Sequence, residues 1–424
     1  MILYDGTLYP SDRQRELLSG LEKRLNRTLA FGKLERETVI SAVDRLAERI
    51  EGGEFDELIS GFASDKADYY KRMAVDAMKR DNTEKRLAIE LPDALYTGDT
   101  EKLEKNILPL GVLFHIAAGN ADGLPALSVY EGLLTGNINI LKLPSADNGL
   151  TLRILEELIK MEPALAEYIY VFDTPSTDVE AMQIMAGMAD GIVVWGGESA
   201  VSAVRELADP GTRLIEWGHR LSFCYISGYR DKEYELKALA EHIASTGQVL
   251  CSSCQVIYID TDSMEEIEKF CEELLPVLDD AAKRLLKTDI GETAQLSVKR
   301  YCSKLEKAAG YKNGAGIRYT GDKCSVTACK SSRLEISEMY ANVLVKRLPE
   351  GHILPVLRRT KSVLQTAGLI CAPEKRKRLT SMLFRAGVNR VTDAGSMSVP
   401  FCGEAHDGEY ALRRYVRIAD KVRD

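Results

Sequence analysis

A chain of 424 residues with 45% hydrophobic and 28% charged side chains is long enough for two or three packed units and too apolar to be disordered. Its formal net charge of −8, from 56 basic and 64 acidic residues, argues against a surface built to neutralise nucleic-acid phosphates. No basic stretch followed by an apolar one opens the chain and no run of roughly 18 apolar residues occurs, so no membrane insertion is expected and the expected location is the cytoplasm.

In chain order, residues 34–80 carry apolar positions at helical spacing with charges between them, which predicts amphipathic scaffold helices. A polar connection at 96–105 leads to GVLFHIAAGN, an apolar run bounded by Gly111 and Gly119 that reads as a buried strand ending in a turn. Helices are predicted over 124–134, 150–161, 179–188 and 198–207, alternating with the strands INILKLP, YIYVFD, GIVVWGG and TRLIEW. Such alternation implies a mainly parallel sheet covered on both faces, with ligands at the carboxyl ends of its strands. From Leu221 a second α/β unit opens with SFCYIS, a helix over 233–245, the segment TGQVLCSSCQ, the strand VIYID and a long acidic helix. The basic run Lys375-Arg376-Lys377-Arg378 reads as a solvated helix face without a function.

The nine cysteines lie between Cys224 and Cys402 without framework spacing, which suits a reducing compartment where thiols stay available for chemistry. Cys251 follows Gly247 and Gln248, precedes two serines, and stands between a polar loop and a strand, where backbone N–H groups favour a thiolate. The alternatives are an inert buried cysteine or a redox or zinc pair with Cys254. Zinc needs two further ligands, and Cys324 and Cys329 have the wrong spacing, so no metal is expected.

Glu216, at the end of an apolar strand, is either a structural carboxylate paired with Arg220 or Arg213, or a general base whose pKa burial raises. Asn120 either closes a turn or offers its side-chain N–H to an oxyanion. His115, inside an apolar strand, reads as a satisfied core histidine. Gly196 and Gly197, between a strand and a helix, allow a phosphate to approach the backbone. The common GxGxxG fingerprint is absent.

Five ordered blocks, Pro109-Leu-Gly through Gly119-Asn120, Leu134-Thr-Gly-Asn137 through Lys142, Trp195-Gly-Gly197, Glu216-Trp-Gly-His219 and Gln248-Val-Leu-Cys251-Ser-Ser, resemble the aldehyde dehydrogenase superfamily over residues 107–417. With Gly387-Val-Asn-Arg390 and His406-Asp407-Gly408, the chain is similar within it to the LuxC-type acyl-CoA reductases of bacterial luminescence systems. The resemblance implies an α/β, aldehyde dehydrogenase-like fold: N-terminal helices and a cofactor domain over 1–228, a catalytic domain over 229–395, and a segment 396–424 returning to the cofactor domain or to an oligomer interface. It implies Cys251 as the acylated nucleophile, Asn120 with the Cys251 backbone N–H as the oxyanion hole, and Glu216 as the active-site carboxylate. Lys142 corresponds to the lysine that reaches the adenosine ribose, and Gly196, Gly197 and Gly218 to the glycines around the cofactor.

Ser145 stands where NAD-preferring relatives carry a glutamate that would repel a 2′-phosphate, which implies NADP(H) in preference to NAD(H). Glu198 replaces the usual serine, Trp217 and His219-Arg220 depart from the Glu-Leu-Gly-Gly-Lys pattern, and Cys254 replaces a proline. A retained glutamate is awkward for a reductase, because an activated water would hydrolyse the acyl-enzyme. The expected function is reduction of a fatty acyl thioester, on CoA or a carrier protein, to the aldehyde, by a homo-oligomer. The rivals are a short-chain CoA-acylating aldehyde dehydrogenase and a cofactor-independent acyl transferase or thioesterase with His219 or His406 as base.

Overall fold

The computed structural model describes residues 1–60, 67–92, 102–117, 123–144, 147–288 and 316–422, with 291, 294, 297–298, 301–302 and 305. It divides into two compact units, Met1–Gly218 with Phe401–Asp424, and His219–Pro400.

In the first unit the helices α1 (Gln14–Phe31), α2 (Arg36–Glu51), α3 (Asp56–Ser60), α4 (Ala67–Met78) and α5 (Arg80–Glu90) precede most of the sheet. They form because apolar residues recur every third or fourth position: α1 buries Leu17, Leu18, Leu21 and Leu25, and α2 buries Val39, Val43, Leu46 and Ile50. Strands β1 (Ile2–Tyr4) and β2 (Thr7–Tyr9) form a hairpin through Asp5 and Gly6, both at positive φ. The strand β3 (Leu103–Pro109) follows, and β4 (Val112–Ile116), β5 (Ile138–Lys142), β6 (Ile169–Phe172), β7 (Gly191–Trp195) and β8 (Arg213–Trp217) run parallel.

The sheet order is β2-β1-β6-β5-β4-β7-β8, with β1 antiparallel to β6. Strands β4 to β7 are buried on both faces, which explains their nearly unbroken apolar sequences. Helices α6 (Leu124–Leu134), α7 (Leu150–Met161), α8 (Val179–Gly187) and α9 (Glu198–Leu207) connect them. The chain builds outward from β4 through β5 to β6, then resumes on the other side of β4 with β7 and β8. The carboxyl ends of β4 and β7 therefore flank a topological switch point, where such sheets bind ligands.

The C-terminal segment belongs to this unit. Arg86 stands between Glu90 and Glu131 at 2.5 and 2.6 Å, the Leu412 N–H donates to Glu90 at 2.9 Å, and the Tyr415 hydroxyl donates to Glu131 at 3.2 Å. Beyond these ties β16 (Val416–Val422) pairs antiparallel with β3 in a separate two-stranded sheet.

The second unit holds β9 (Leu221–Ser227), β10 (Cys254–Ile259), β11 (Ile317–Thr320), β12 (Ser325–Cys329), β13 (Asn342–Arg347), β14 (Leu364–Cys371) and β15 (Arg390–Thr392), in the order β11-β12-β13-β10-β9-β14-β15. Only β11 is antiparallel to its neighbour among these described strands. Alternate residues of β9 serve opposite faces: Cys224 and Ile226 pack with α10 (Lys232–Thr246) and α11 (Met264–Leu285), while Phe223 and Tyr225 pack with the segment carrying Leu379 and Leu383. Because β9 pairs with β10 and β14, the division between units falls ahead of it, not at residue 228. No helix among the described residues is long and apolar enough to cross a membrane.

Candidate active site

Cys251 lies exposed in the turn that leads from α10 into the amino end of β10. The turn begins with two left-handed residues, Gly247 at φ 55° and Gln248 at φ 61°. A side chain in that region costs about 1–2 kcal/mol, so Gln248 needs compensating contacts. It has them: its buried amide donates to the Cys254 carbonyl at 2.8 Å and to Ser337 Oγ at 3.1 Å, and Gln255 donates to the Gln248 carbonyl at 2.7 Å. Met339, Tyr340 and Ala341 are also left-handed, at 61°, 49° and 61°, and the Tyr340 N–H donates to the Gly247 carbonyl at 2.8 Å. Strain concentrated in this way, and held by surrounding hydrogen bonds, marks functional sites.

Ser222, near the start of β9, binds the turn from beneath. Its hydroxyl donates to the Cys251 carbonyl at 2.7 Å and accepts from the Thr366 N–H at 3.0 Å. Both strands beside β9 change register there, β10 between Cys254 and Val256 and β14 between Leu364 and Ala367. Bulges re-aim side chains, and here Gln365 Nε2 reaches Cys251 Sγ at 3.3 Å. Ser252 and Ser398 meet through their hydroxyls at 2.8 Å. The sequence reading singled out neither Gln365 nor Ser222; a glutamine inside the apolar run Leu-Gln-Thr-Ala-Gly-Leu was the available signal.

Cys254 has a different environment. It is fully buried, its thiol donates to the Val256 carbonyl at 3.4 Å, and burial pushes its pKa up to about 12. None of the nine cysteines, all among the described residues, is in a disulfide.

In the first unit the named residues gather at the carboxyl ends of the strands. Lys142 ends β5 and is only 3% exposed; its ammonium donates to Ser176 Oγ at 3.1 Å, and burial lowers its pKa. Gly196 and Gly197 follow β7, and Gly218 follows β8. Gly197 caps the ten-residue helix α9 at φ −73°, a conformation open to any residue, and a Cβ there would meet nothing within 4 Å. Neither backbone nor neighbours therefore demand a glycine; what its absent side chain leaves is room in front of a helix N-terminus. At Gly196 a Cβ would come within 3.0 Å of the Ala200 Cβ. A buried lysine and an open helix N-terminus at one sheet edge fit a phosphorylated nucleotide, although Glu198 adds an opposing charge. Asn120 and Ser145 lie outside the described residues.

Glu216 has another partner than expected. Its carboxylate is gripped at both oxygens by Arg205 of α9, at 2.5 and 2.6 Å. Arg213 instead donates to the carbonyls of Arg414 and Val416, and Arg220 to that of Ser362. With both oxygens taken up by one guanidinium, the carboxylate is oriented by Arg205 in a bidentate pair.

His406 rests against Trp195 and Trp217, with ring centroids 5.7 and 5.1 Å away, and the two indoles stack at 5.4 Å. Asp407 beside it is left-handed at φ 51°. Trp195 is anchored from below by a directional chain: its indole N–H donates to Ser128 Oγ at 3.2 Å, and Ser128 meets His115 Nδ1 at 2.7 Å. His115 Nε2 meets Asn139 Oδ1 at 3.0 Å. Because Asn139 Oδ1 can only accept, Nε2 carries the proton and Nδ1 accepts from Ser128. Burial holds His115 neutral, with its pKa lowered to about 4.

The model of the acyl-CoA reductase (LuxC) family matches residues 32–418. The long-chain acyl-protein thioester reductase of Aliivibrio fischeri is 25% identical over 323 residues, 74% of this chain and 64% of that relative, so the match spans less than two thirds of its length. Aldehyde dehydrogenase 21 from Physcomitrella patens, solved with the reaction product succinate, superposes with a TM-score of 0.69 at 15% identity, covering 98% of this chain and 91% of its own. An indole-3-acetaldehyde dehydrogenase in complex with NAD+ gives a TM-score of 0.69 at 14% identity, covering 97% of this chain and 89% of its own. The fold is thus that of the aldehyde dehydrogenases, and with a family match that extends over most of the chain, this chain belongs to the acyl-CoA reductase (LuxC) family.

Proposed function

We propose that this protein reduces a long-chain fatty acyl thioester, carried by CoA or by a protein, to the aldehyde, with Cys251 as the nucleophile. The observation that carries the reading is an exposed thiol on a strained, heavily braced turn, with an amide N–H directed at its sulfur. The Cys251 thiolate attacks the thioester carbonyl, and one thioester replaces another at little thermodynamic cost. Lys142, Gly196, Gly197 and Gly218 hold the nicotinamide cofactor, for which Ser145 favours NADP(H) over NAD(H). When bound, the reduced nicotinamide supplies the hydride. Asn120 and the Cys251 backbone N–H stabilise the alkoxide oxygen on the Cys251-bound carbon until it collapses to aldehyde and thiolate. Self-association of the chain belongs to the same proposal.

Glu216 serves this reaction as a structural carboxylate, braced by Arg205, and so spares the acyl-enzyme from hydrolysis. Glu216→Gln is accordingly expected to keep turnover within about 3-fold, whereas removal of a general base would cost roughly 10²–10⁴-fold. Steady-state rates of the two proteins decide this.

Gly197→Val is expected to raise KM for the nicotinamide about tenfold or more, by occupying the open space before α9, while the thermal midpoint stays unchanged. A KM equal to that of the wild type would remove Gly197 from the cofactor site. The function itself is tested by following nicotinamide oxidation with acyl-CoAs of graded length, NADPH against NADH. A marked preference for acetyl-CoA would favour a short-chain enzyme, and CoA release without nicotinamide oxidation a thioesterase.

A further inference from the structure

We propose that Gln365 is a catalytic residue of this site: its side-chain N–H stabilises the Cys251 sulfur whenever that atom carries negative charge. The inference rests on Cys251 being the nucleophile and adds the group that tunes it. β14 pairs with β9 at Leu364 and Leu221, then again at Ala367 and Phe223, so that Gln365 and Thr366 together face Ser222 alone. This extra residue breaks the in-and-out alternation of the strand and turns one side chain out of the ladder. The gap is closed by Ser222 Oγ, which accepts from the Thr366 N–H at 3.0 Å, while the Gln365 amide reaches Cys251 Sγ at 3.3 Å. On the other side the Gln365 carbonyl accepts from the Asn389 N–H at 3.0 Å, which fixes the backbone from which the amide projects.

Gln365 is 8% exposed in a strand whose other residues are also buried, so packing alone does not call for an amide there. An amide buried in such a place costs desolvation unless it makes hydrogen bonds, and the sulfur is one of its acceptors. The same Ser222 that fills the bulge also holds the Cys251 carbonyl at 2.7 Å, so the bulge sets the turn and the amide relative to each other.

The charge on sulfur changes through the reaction in a way that suits such a donor. In the attack, the Sγ–C bond forms, the bond from carbon to the departing thiol sulfur breaks, and the negative charge leaves with that thiolate. A thioester sulfur is a poor acceptor, so the N–H contributes little to the acyl-enzyme. Hydride from the reduced nicotinamide, which is itself oxidised, then adds to the acyl carbon. As the resulting alkoxide becomes the aldehyde, the C–Sγ bond breaks and its electron pair returns to Sγ. The donor thus favours the resting thiolate and the final bond cleavage over the neutral state between them. Hydrogen bonds to ionised groups are the stronger kind.

The test is the pH profile of Cys251 alkylation by iodoacetamide in the full-length chain, with a Cys251→Ala protein subtracting the label on the other cysteines, of which Cys302 and Cys402 are exposed. Gln365→Leu is expected to move the midpoint up by about one pH unit and slow alkylation at neutral pH about tenfold. Gln365→Glu, nearly the same shape, is expected to move it further the same way by placing an anion beside the sulfur, and it carries the test if the leucine protein does not fold. A wild-type profile in either folded variant overturns the proposal. Should Cys251→Ala still make aldehyde, the nucleophile assignment fails instead, and the alkylation profiles still report whether the amide acts on the sulfur.

Discussion

Cys251→Ala is expected to abolish aldehyde formation, with turnover falling by roughly 10³-fold or more, because it removes the sulfur proposed to carry the acyl chain through the reduction. The thiol accepts a hydrogen bond from the Gln365 amide at 3.3 Å, a contact worth about 1 kcal/mol. The side chain is exposed, and the tie from Ser222 runs to the Cys251 carbonyl, which alanine retains. The thermal midpoint of the variant is therefore expected within about 2 °C of the wild type. Cys254→Ala supplies the contrast. It removes a sulfur buried among Cys224, Ile226, Ile257 and the residues of α10 and α11, so it is expected to cost about 1 kcal/mol of stability while leaving turnover largely intact. If the two cysteines instead worked as a redox or metal pair, both substitutions would have the same consequence. Rates and melting curves for the two proteins, measured side by side, separate these cases.

Acid is expected to weaken both units as pH falls from about 6.5 toward 4. His115 in the first unit and His242 in the second are buried and held neutral, each with its pKa lowered from 6.5 to about 4. A depressed folded-state pKa means that the unfolded chain binds more protons between those two values. The contribution to stability is accordingly present above about pH 6.5 and is lost as pH falls toward 4. Between pH 7 and pH 5 each histidine is expected to remove about 2 kcal/mol. Urea midpoints at the two pH values test this, and His115→Gln or His242→Gln should flatten the pH dependence of its own unit. A midpoint equally pH-dependent in the variants would mean that other groups set it. For His115 there is also a functional consequence. Protonation turns Nδ1 from acceptor to donor, which reverses its bond with Ser128 and disturbs the anchor of Trp195 beside Gly196 and Gly197.

Much of this architecture is legible in the residues. Strands β4 to β7 are short apolar runs alternating with amphipathic helices, and that alternation alone implies the parallel sheet and its ligand-binding edge. The Asp5-Gly6 pair between two short apolar runs is likewise a local hairpin signal, and β1 and β2 pair through it. The partner of Glu216 was half legible. On a strand, residues 213 and 216 point to opposite faces, which excludes Arg213; that Arg205 takes its place depends on how α9 packs, which spacing does not encode.

What was hidden is long-range. Gln365 meets Cys251 across 114 residues of sequence through a bulge that no local pattern announces. The β3 and β16 ribbon joins residues even further apart, from Leu103 opposite Val422 to Pro109 opposite Val416. His406 illustrates the same difficulty: its motif stands out in the sequence, but only the stacking of Trp195 on Trp217, neighbours across β7 and β8, gives it a position.

The most direct measurement incubates the protein with a long-chain acyl-CoA in the absence of nicotinamide, digests it, and locates the acyl group by mass spectrometry before and after a chase with NADPH. The expected result is a hydroxylamine-sensitive acyl adduct on the peptide that contains Cys251, discharged as aldehyde when NADPH is added. An adduct on another residue, or one that NADPH leaves in place or releases as the free acid, would contradict a reduction carried by that sulfur.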